Sequence, residues 1–436
     1  MLFACKLASE HGLHSLVNML YNTYKEYKQT THNKLFVFSN VYNDHLAFYS
    51  SISCYYLNKI NEGYKISTSI IEKGIIDSYM LEQTYKNLLF YKKCIKHNDT
   101  SLKIFYHLNT FIHNKKQNTE PICIELTTLW EYLFNINKPF FTQPKLCSFE
   151  NRQNPKLVLT FTTCKRIDLF KQTVQSLLNQ IEDIDMVDYW FCVDDNSSKS
   201  DKEKMLELYP FVDFYFKMEE EKGHKNSMNI IYNKLVELKP KYWIHIEDDF
   251  LFYKPTNYIE NSLEGFKQMG HMNIKQIMFN RCYGETIKDY NLETYIKIDE
   301  NFALQEYRIN SNKYGSAYWP YFSFRPSIID VEAIINIGNF ETSKQFFEME
   351  YADKWMKYGY KTGFFNRMTN KHIGKLTYEN NKQNAYQMNN EAQFDTNNIK
   401  IINLKKRTDR RQNVKTQLDK LGIYNYEFFE AINGYE

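Results

Sequence analysis

The chain has 436 residues, of which 43% are hydrophobic and 17% aromatic, and its formal net charge is +3. This composition can fill several folded cores and excludes a disordered chain, and the length suggests roughly three domains of ~150 residues each. A near-neutral charge without a basic tract argues against a nucleic-acid partner.

The location of the protein is predicted from what the sequence lacks. No apolar run approaches the ~18 residues of a membrane-spanning helix, and the first residues do not have the charged-then-apolar pattern of a signal peptide. The eight cysteines are dispersed singly, which is typical of reduced thiols rather than of a disulfide or zinc framework. We therefore predict a cytoplasmic protein. The abundance of Asn, Lys, Ile and Tyr indicates an AT-rich genome, and if that genome is a large DNA virus, the location is the host cytoplasm.

Residues 1–113 are predicted to be helical, because apolar residues recur at helical spacing and helix breakers are few. A turn is expected at Asn61–Tyr64 between two helices. This alternation of helix, turn and helix resembles a tetratricopeptide-type (TPR) array of hairpins, with Tyr55–Leu57 and Leu88–Tyr91 in the corresponding helices. The resemblance implies a docking surface for an acceptor or a protein partner. A helical cap that merely packs on the next domain is the alternative.

Residues 114–155 are predicted to be a connector, because four prolines and a polar gap interrupt any regular pattern. Within this segment, Ile122–Leu126 reads as a short strand and Trp130–Phe134 as a short packed helix. No chemistry is indicated here.

From Lys156 onward, apolar strands alternate with amphipathic helices. Strands are expected at 157–163, 189–193, 211–217 and 242–246, and helices at 200–208 and 230–239, with a further helix opened by Asp168 as its N-cap. This alternation predicts an α/β fold with a mainly parallel sheet.

Three of these strands end in polar residues. The first ends in Thr162, Thr163 and Arg166, the second in Asp194 and Asp195, and the last in Glu247–Asp249. In an open α/β sheet, the carboxyl ends of the strands are where ligands bind. Adjacent carboxylates repel one another, so a positive group, most simply a divalent cation, is expected among Glu247, Asp248 and Asp249. A solvated acidic turn is the alternative for this trio, and helix capping is the alternative for Asp194 and Asp195.

The order of these motifs, including the helix opened by Gly223 to Asn229, resembles the GT-A fold of nucleotide-sugar-dependent glycosyltransferases, in particular the large family-2-like group. The resemblance covers residues 156–378 and implies a Mn²⁺ or Mg²⁺ cofactor. The metal ligands that it implies are Asp249, Glu247 and a late histidine, His372, for which an ordinary structural histidine is the alternative. The nucleotide-binding residues that it implies are Thr162, Thr163, Arg166, Asp194, Asp195, Asn226 and Asp248.

The catalytic base of such an enzyme is expected in the acidic helix start before Gly359. Inverting transfer needs a carboxylate that takes the acceptor proton, and Glu348, Glu350 and Asp353 are the candidates. The family pattern is Glu-Asp, whereas this chain has Glu-Met-Glu, so the sequence leaves the identity of the base open. The aromatic stretch from Tyr318 to Phe324 reads equally well as an acceptor cleft or as core.

A polar linker at 379–398 precedes a strand, helix and strand within residues 399–436. With the basic Lys405–Arg411 segment, these residues resemble the opening of a family 25 glycosyltransferase domain of the procollagen and lipopolysaccharide type. The resemblance implies the start of a second, truncated domain without its metal motif.

The predicted function is metal-dependent, inverting transfer of a hexose or N-acetylhexosamine from a nucleoside-diphosphate sugar, most simply a UDP-sugar, to a hydroxyl of a glycan or glycoprotein. Two alternatives are a sugar nucleotidyltransferase of related fold and a non-catalytic scaffold. The first usually has a Gly-rich loop after the first strand, which Thr162–Arg166 lacks.

Overall fold

The computed structural model describes residues 1–30, 39–74, 77–118, 120–281, 295–305, 321–340, 347–374, 383, 385–389, 399–420 and 426–431. Within these residues, the chain forms a helical region, a large mixed α/β region and a small βαβ unit near residue 400.

The helical region consists of seven helices, and it continues into the segment that was predicted to be a connector. Consecutive helices pack on one another from α1 to α5, and α6 packs on α7. The helices are α1 (Leu2–Glu10), α2 (His14–Thr30), α3 (Ser39–Tyr56), α4 (Ile60–Lys73), α5 (Ser78–Leu88), α6 (Asp99–Gln117) and α7 (Ile124–Phe141).

Two local predictions in this region are wrong. Asn61–Tyr64 is not a turn, because α4 begins at Ile60 and Gly63 lies inside it. Gly63 instead allows the ring of Tyr91 to approach the helix backbone, since a Cβ at this position would collide with that ring. The predicted strand at 122–126 is also wrong: α7 begins at Ile124 and buries Leu126. Within the helix, Ile124 is exposed while Leu126 is buried, and a short apolar run does not by itself distinguish a strand from a helix.

The α/β region follows the predicted alternation closely. Its strands are β1 (Leu157–Thr163), β2 (Tyr189–Asp194), β3 (Asp213–Phe216), β4 (Tyr242–Glu247), β5 (Phe250–Phe252), β6 (Ile274–Met278), β7 (Tyr295–Lys297), β8 (Phe302–Gln305), β9 (Ser327–Asp330), β10 (Lys361–Phe365) and β11 (Asn370–His372). Its helices are α8 (Ile167–Gln180), α9 (Lys199–Leu208), α10 (His224–Leu238), α11 (Tyr258–Met269), α12 (Val331–Ile337), α13 (Phe347–Lys357) and α14 (Ala385–Met388).

Among the described residues, nine strands form one sheet in the order β3-β2-β1-β4-β9-β6-β10-β8-β7. Strands β3, β2, β1 and β4 are parallel, and β9 and β8 run against the others. The predicted α/β fold with a mainly parallel sheet is confirmed. Strand β1 is buried along its whole length and lies between β2 and β4. The carboxyl ends of these three strands therefore meet at one edge.

Two other predictions concern the ends of helices. Asp168 is not the N-cap of α8, because the helix already begins at Ile167 and Asp168 lies in its first turn. The N-cap of α9 is Ser198, whose hydroxyl accepts a hydrogen bond from the Asp201 amide at 3.1 Å. Capping of α9 is thus done without Asp194 or Asp195.

The last unit contains β12 (Ile399–Asn403), α15 (Thr408–Lys420) and β13 (Tyr426–Glu430), with the two strands paired in parallel. The predicted strand, helix and strand are confirmed, while the relation to family 25 and the domain boundaries stay predictions. Most of the predicted linker at 379–398 lies outside the described residues. In the part of the chain that is described, no helix is both long and apolar enough to cross a membrane.

Asp183 offers a test of how the α/β region is held together. Its buried carboxylate accepts hydrogen bonds from the Ile259 and Glu260 amides at 2.9 and 2.7 Å, at the start of α11. We expect Asp183→Ala to lower the free energy of unfolding by about 1–2 kcal/mol, the typical cost of losing a helix cap. Urea unfolding measures this, with the exposed neighbour Asp185→Ala as the matched control. Equal stabilities of the two variants would contradict the capping role.

Candidate functional site

The candidate site lies at the edge where β1, β2 and β4 end. Thr163 of β1 is the register partner of Asp194 of β2, and Thr162 is the register partner of Glu247 of β4. The threonine, aspartate and acidic-trio motifs are therefore brought together by three adjacent parallel strands. This edge is the one at which open α/β sheets bind ligands.

Arg166 is the positive group among the acids. Its guanidinium forms ion pairs with both Asp248 and Asp249, with 2.9 Å between Nη1 and Asp249 Oδ2. The arginine side chain is 12% exposed, and the two aspartate side chains are 1% and 9% exposed. A planar fork of donors suits two neighbouring carboxylates, because each terminal nitrogen can serve a different one.

Asp248 is held by the end of β1 as well as by Arg166. Its Oδ2 accepts hydrogen bonds from the Thr163 hydroxyl at 2.8 Å and from the Cys164 amide at 3.2 Å. Burial raises the pKa of Asp248 to about 6, while Arg166 and these two donors oppose that shift. The carboxylate is enclosed by protein donors on both oxygens, which gives Asp248 a positioning role. We call the cluster of Arg166, Asp248 and Asp249 the acidic corner.

Asp249 has one oxygen engaged and one available. Oδ2 meets Arg166 and lies 3.4 Å from His372 Nε2, whereas the buried Oδ1 has no hydrogen-bond partner among the described residues. Burial raises the pKa of Asp249, but His372 and Arg166 more than offset this, so the net shift is downward. Asp249 is thus an anion with an oxygen free to bind a ligand.

Gly374 was not recognised in the sequence, although it makes this arrangement possible. A Cβ at this position would collide with the Asp249 carboxylate, with 2.9 Å to its Cγ. The segment after β11 therefore passes directly over Asp249, and the Ile373 amide donates to the Asp249 carbonyl at 2.7 Å.

Glu247 faces a different set of side chains. Its Oε1 lies 3.6 Å from Nε2 of His224, the first residue of α10. Burial, Asp249 and Glu348 all raise the pKa of Glu247 well above its ordinary value. Burial also lowers the pKa of His224 to about 4, and Lys217 adds to this while Asp195 and Asp249 oppose it. His224, which sequence reasoning missed, therefore lies beside Glu247 at the end of β4.

The aspartate pair is divided between two roles. Asp195 accepts hydrogen bonds from the Gly223 amide at 2.8 Å and pairs with the buried Lys217 at 3.1 Å, which ties β2 to the start of α10. Asp194 accepts from the Ser197 amide with Oδ2, and its buried Oδ1 has no hydrogen-bond partner within the described part of the chain. Burial raises the pKa of Asp194.

The remaining predicted nucleotide-binding residues lie nearby. Thr162 is buried in β1. Asn226 lies in the first turn of α10, where its amide donates to the Lys222 carbonyl at 2.9 Å. Lys217 was not recognised in the sequence. It is 2% exposed, and its ammonium donates to the Gly223 carbonyl and the Ser227 hydroxyl.

Of the three candidate bases, Glu348 has described contacts beside Glu247. Its Oε1 accepts hydrogen bonds from the Ser323 hydroxyl at 3.1 Å and from the Phe324 amide at 2.9 Å, and its charge acts on Glu247. At about 100° per residue, Glu350 and Asp353 project roughly 160° and 140° away from Glu348 around α13. They lie on the side of the helix opposite the buried Tyr351 and Trp355.

The aromatic stretch belongs to the core where it is described. Phe322 and Phe324 are 0% and 1% exposed and pack with Trp355 and Phe340. Tyr318–Pro320 lie outside the described residues.

A cavity of about 490 Å³ opens beside the acidic corner. It is lined by Lys165, Arg166, Ile167, Asp168, Leu169, Ile373, Gly374, Gln383 and Met388. The volume is in the range of small-molecule sites. Helix α14 borders it, because the Ala385 and Met388 carbonyls accept from Cys164 Sγ and Lys165 Nζ.

The residues can be tested for a fit to a divalent cation. No three His, Cys, Asp or Glu side chains among the described residues are grouped closely enough to enclose a metal. Asp249 and His372 are adjacent, however, and Asp249 Oδ1 is available. Hard cations at diphosphate sites are held by one or two protein ligands plus phosphate and water oxygens. The arrangement fits a shared site of that kind, with Asp249 and His372 as the protein ligands and Glu247 directed toward His224.

No family model and no curated protein matches the chain. Among solved structures, it is similar to the mannosyltransferase PcManGT of Pyrobaculum calidifontis in complex with GDP-Man and Mn²⁺, at 14% identity and TM-score 0.33, covering 60% of this chain and 65% of that one. It is also similar to S. aureus TarS 1-349 in complex with UDP-GlcNAc, at 9% identity and TM-score 0.33, covering 51% and 59%.

A third similarity is to 4-diphosphocytidyl-2C-methyl-D-erythritol synthase of Anaerococcus prevotii, at 9% identity and TM-score 0.28, covering 49% of this chain and 92% of that one. The chain thus spans less than two thirds of the PcManGT and TarS chains. None of these comparisons supports the TPR-like or family 25 resemblance, and both stay predictions.

Arg166 provides the stability test of the site. We expect Arg166→Met to lower the free energy of unfolding by about 3–5 kcal/mol, because removing one partner leaves two buried carboxylates uncompensated. Arg152→Met is the matched control, since Arg152 is 69% exposed and its buried partner Asp188 keeps hydrogen bonds from the Lys156 and Leu157 amides. We expect this variant to lose about 1 kcal/mol or less, as for a solvent-screened pair. Chemical denaturation at neutral pH compares them. Similar losses in both variants would show that Asp248 and Asp249 do not depend on Arg166.

Proposed function

We propose that the chain is a metal-dependent glycosyltransferase that transfers a sugar from a nucleoside-diphosphate sugar, most simply a UDP-sugar, to a hydroxyl of a glycan or glycoprotein. The observation that carries the proposal is the meeting of Arg166, Asp249 and His372 beside the 490 Å³ cavity, at the carboxyl edge of β1, β2 and β4. A cationic fork, an available carboxylate oxygen and an imidazole are the groups that a diphosphate and its cation require.

The donor would be bound by groups on both sides of this corner. Arg166 would direct its remaining N–H donors to diphosphate oxygens while it stays paired with the aspartates. Asp194 Oδ1 is an unused acceptor for a base N–H or a sugar hydroxyl. Asp195, Lys217 and Gly223 would keep the start of α10 against this edge.

Asp249 and His372 would hold Mn²⁺ or Mg²⁺ together with the diphosphate. When bound, the cation supplies Lewis-acid stabilisation of the departing nucleoside diphosphate. Strands β5 and β11 would hold both ligands in place. His372 is the register partner of Phe250, which directly follows Asp249 in the chain.

Glu348 would serve as the catalytic base. In an in-line displacement, the acceptor oxygen bonds to the anomeric carbon, the bond from that carbon to the diphosphate oxygen breaks, and the acceptor proton moves to a carboxylate. This displacement inverts the anomeric configuration. Ser323 and the Phe324 amide hold one oxygen of Glu348 in place.

The wider organisation is part of the proposal. It comprises a TPR-like helical module at 1–113, a connector at 114–155 that contains α7, the transferase domain at 156–378, a linker at 379–398 and a family 25-like unit at 399–436. The helical module would bind the acceptor or a protein partner, in the cytoplasm.

Asp249→Asn tests the function directly. With Mn²⁺ and a panel of UDP-, GDP- and TDP-sugars, we expect the wild type to release nucleoside diphosphate and the variant to lose about 100-fold of that rate, because one charge-bearing ligand is gone. Enzyme-coupled detection of the released diphosphate measures the rate. The proposal is wrong if both proteins give the same background, which would favour a scaffold, or if pyrophosphate is released from a nucleoside triphosphate, which would favour a nucleotidyltransferase.

The series Glu348→Gln, Glu350→Gln and Asp353→Asn locates the base. We expect Glu348→Gln to lower kcat for transfer by about 10²–10⁴-fold, the usual contribution of a general base, and the other two to lower it less than tenfold. NMR of the product sugar reports the anomer formed. Retention of configuration, or a larger loss at Glu350, would contradict the role given to Glu348.

A further inference from the structure

Asp249 immediately precedes β5 and His372 is the last residue of β11, and these two strands form a separate two-stranded ribbon outside the main sheet. The ribbon has two different faces, because side chains alternate along a strand. Phe250 and His372 are register partners and contact each other edge to face at 5.2 Å, on the side of the site. Leu251 and Lys371 are also register partners, and they point the opposite way.

That opposite face packs on the helical region. Leu251 and Tyr253 are fully buried in one apolar cluster with α6 and α7. The Tyr253 ring lies 5.5 Å from both Phe105 and Trp130. The ribbon is therefore placed between the candidate site and the helices, and α7 forms the surface on which it rests.

Lys371 fixes this contact electrostatically. Its ammonium forms an ion pair with Glu131 of α7 and lies 5.0 and 5.3 Å from the ring centroids of Phe134 and Trp130. The side chain is 14% exposed. A cation held by a carboxylate and two ring faces while largely shielded from water is a stronger contact than a surface ion pair.

Three further hydrogen bonds continue the contact, two of them to backbone carbonyls. The Asn109 amide donates to the Met368 carbonyl at 3.5 Å, Trp130 Nε1 donates to Asn109 Oδ1 at 3.0 Å, and Arg281 Nη2 donates to the Lys116 carbonyl at 2.5 Å. Asn280, next to Arg281, holds both Thr369 and Asn370 of the ribbon through their backbone. Helices α6 and α7 thus reach the ribbon from two directions.

We propose that Lys371 and Glu131 are positioning residues of the site, through which α7 sets the geometry of Asp249 and His372. The proposal rests on the proposed function in that these two residues are taken as the cation ligands. Helix α7 is then a structural part of the site rather than an independent appendage.

The decisive variant is Lys371→Met, because two explanations of Lys371 predict opposite results. If Lys371 acted only through its charge, removing a positive charge near a bound cation would tighten Mn²⁺ binding. If it positions the ribbon, the variant weakens binding. We expect about a tenfold rise in the Kd for Mn²⁺, as for other residues that orient metal ligands, and a smaller rise for Glu131→Gln. The free Mn²⁺ signal in electron paramagnetic resonance measures Kd on the full chain without any turnover.

Lys92→Met is the matched control. The Lys92 ammonium lies 4.4 Å from the ring centroid of Tyr132. Tyr132 belongs to α7, as Glu131 does, but the contact between Lys92 and Tyr132 does not involve the ribbon. The control is expected to leave the Kd unchanged. Unchanged or tighter Mn²⁺ binding in Lys371→Met would overturn the proposal.

Amide hydrogen exchange tests the positioning role of Lys371 without relying on metal binding. The Ile373 and Tyr253 amides donate to the Asp249 and Thr369 carbonyls across the ribbon, and we expect both to exchange at least tenfold faster in Lys371→Met than in Lys92→Met. If the wild type binds no Mn²⁺, the proposed metal site fails while this measurement still decides the positioning role. Equal exchange in the two variants would refute it.

Discussion

The ion pairs of Arg166 with Asp248 and Asp249 are the constraint on which the rest of the site depends. Two adjacent carboxylates are almost fully withdrawn from water at the end of β4. Buried charges of one sign are tolerated only with a close opposite charge and hydrogen-bond donors. Arg166 supplies the charge, and Thr163 and the Cys164 amide supply donors from the neighbouring strand. The strand order β2-β1-β4 is what brings these groups within reach.

The sequence predicted the groups that depend on local patterns. Buried strands with polar ends are visible because short, mostly apolar runs stop at Thr162, Asp194 and Glu247. The parallel order then follows from the helices between them. The sequence could not show that Glu348 acts on Glu247 or that Glu350 projects in a different direction, because both depend on the rotational phase of α13. Nor could it show that Asp195 is tied to Lys217 and Gly223.

The residues that were missed have weak local signals or distant partners. His224 is one polar residue among several after Gly223, and its meeting with Glu247 depends on how α10 lies beside β4. Gly374 looks like an ordinary turn glycine until Asp249 is seen beneath it. Lys371 and Glu131 are 240 positions apart in the chain, and neither is unusual alone. A single lysine carries no pattern in the sequence, so this information comes from the tertiary structure.

Strand β9 has a consequence for how the protein is made. Ser327–Asp330 lies between β4 and β6 and pairs with both, although β4 ends at Glu247 and β6 at Met278. As a nascent chain leaves the ribosome, Arg166, Asp248 and Asp249 are therefore all present some eighty residues before the strand that seals the edge of β4, whereas His372 follows only after that strand. Until then, that edge is open to wrong pairing, and non-local pairing of this kind slows folding. Arg166 is already present at that stage, so it can neutralise the charges of Asp248 and Asp249 before β9 pairs with β4.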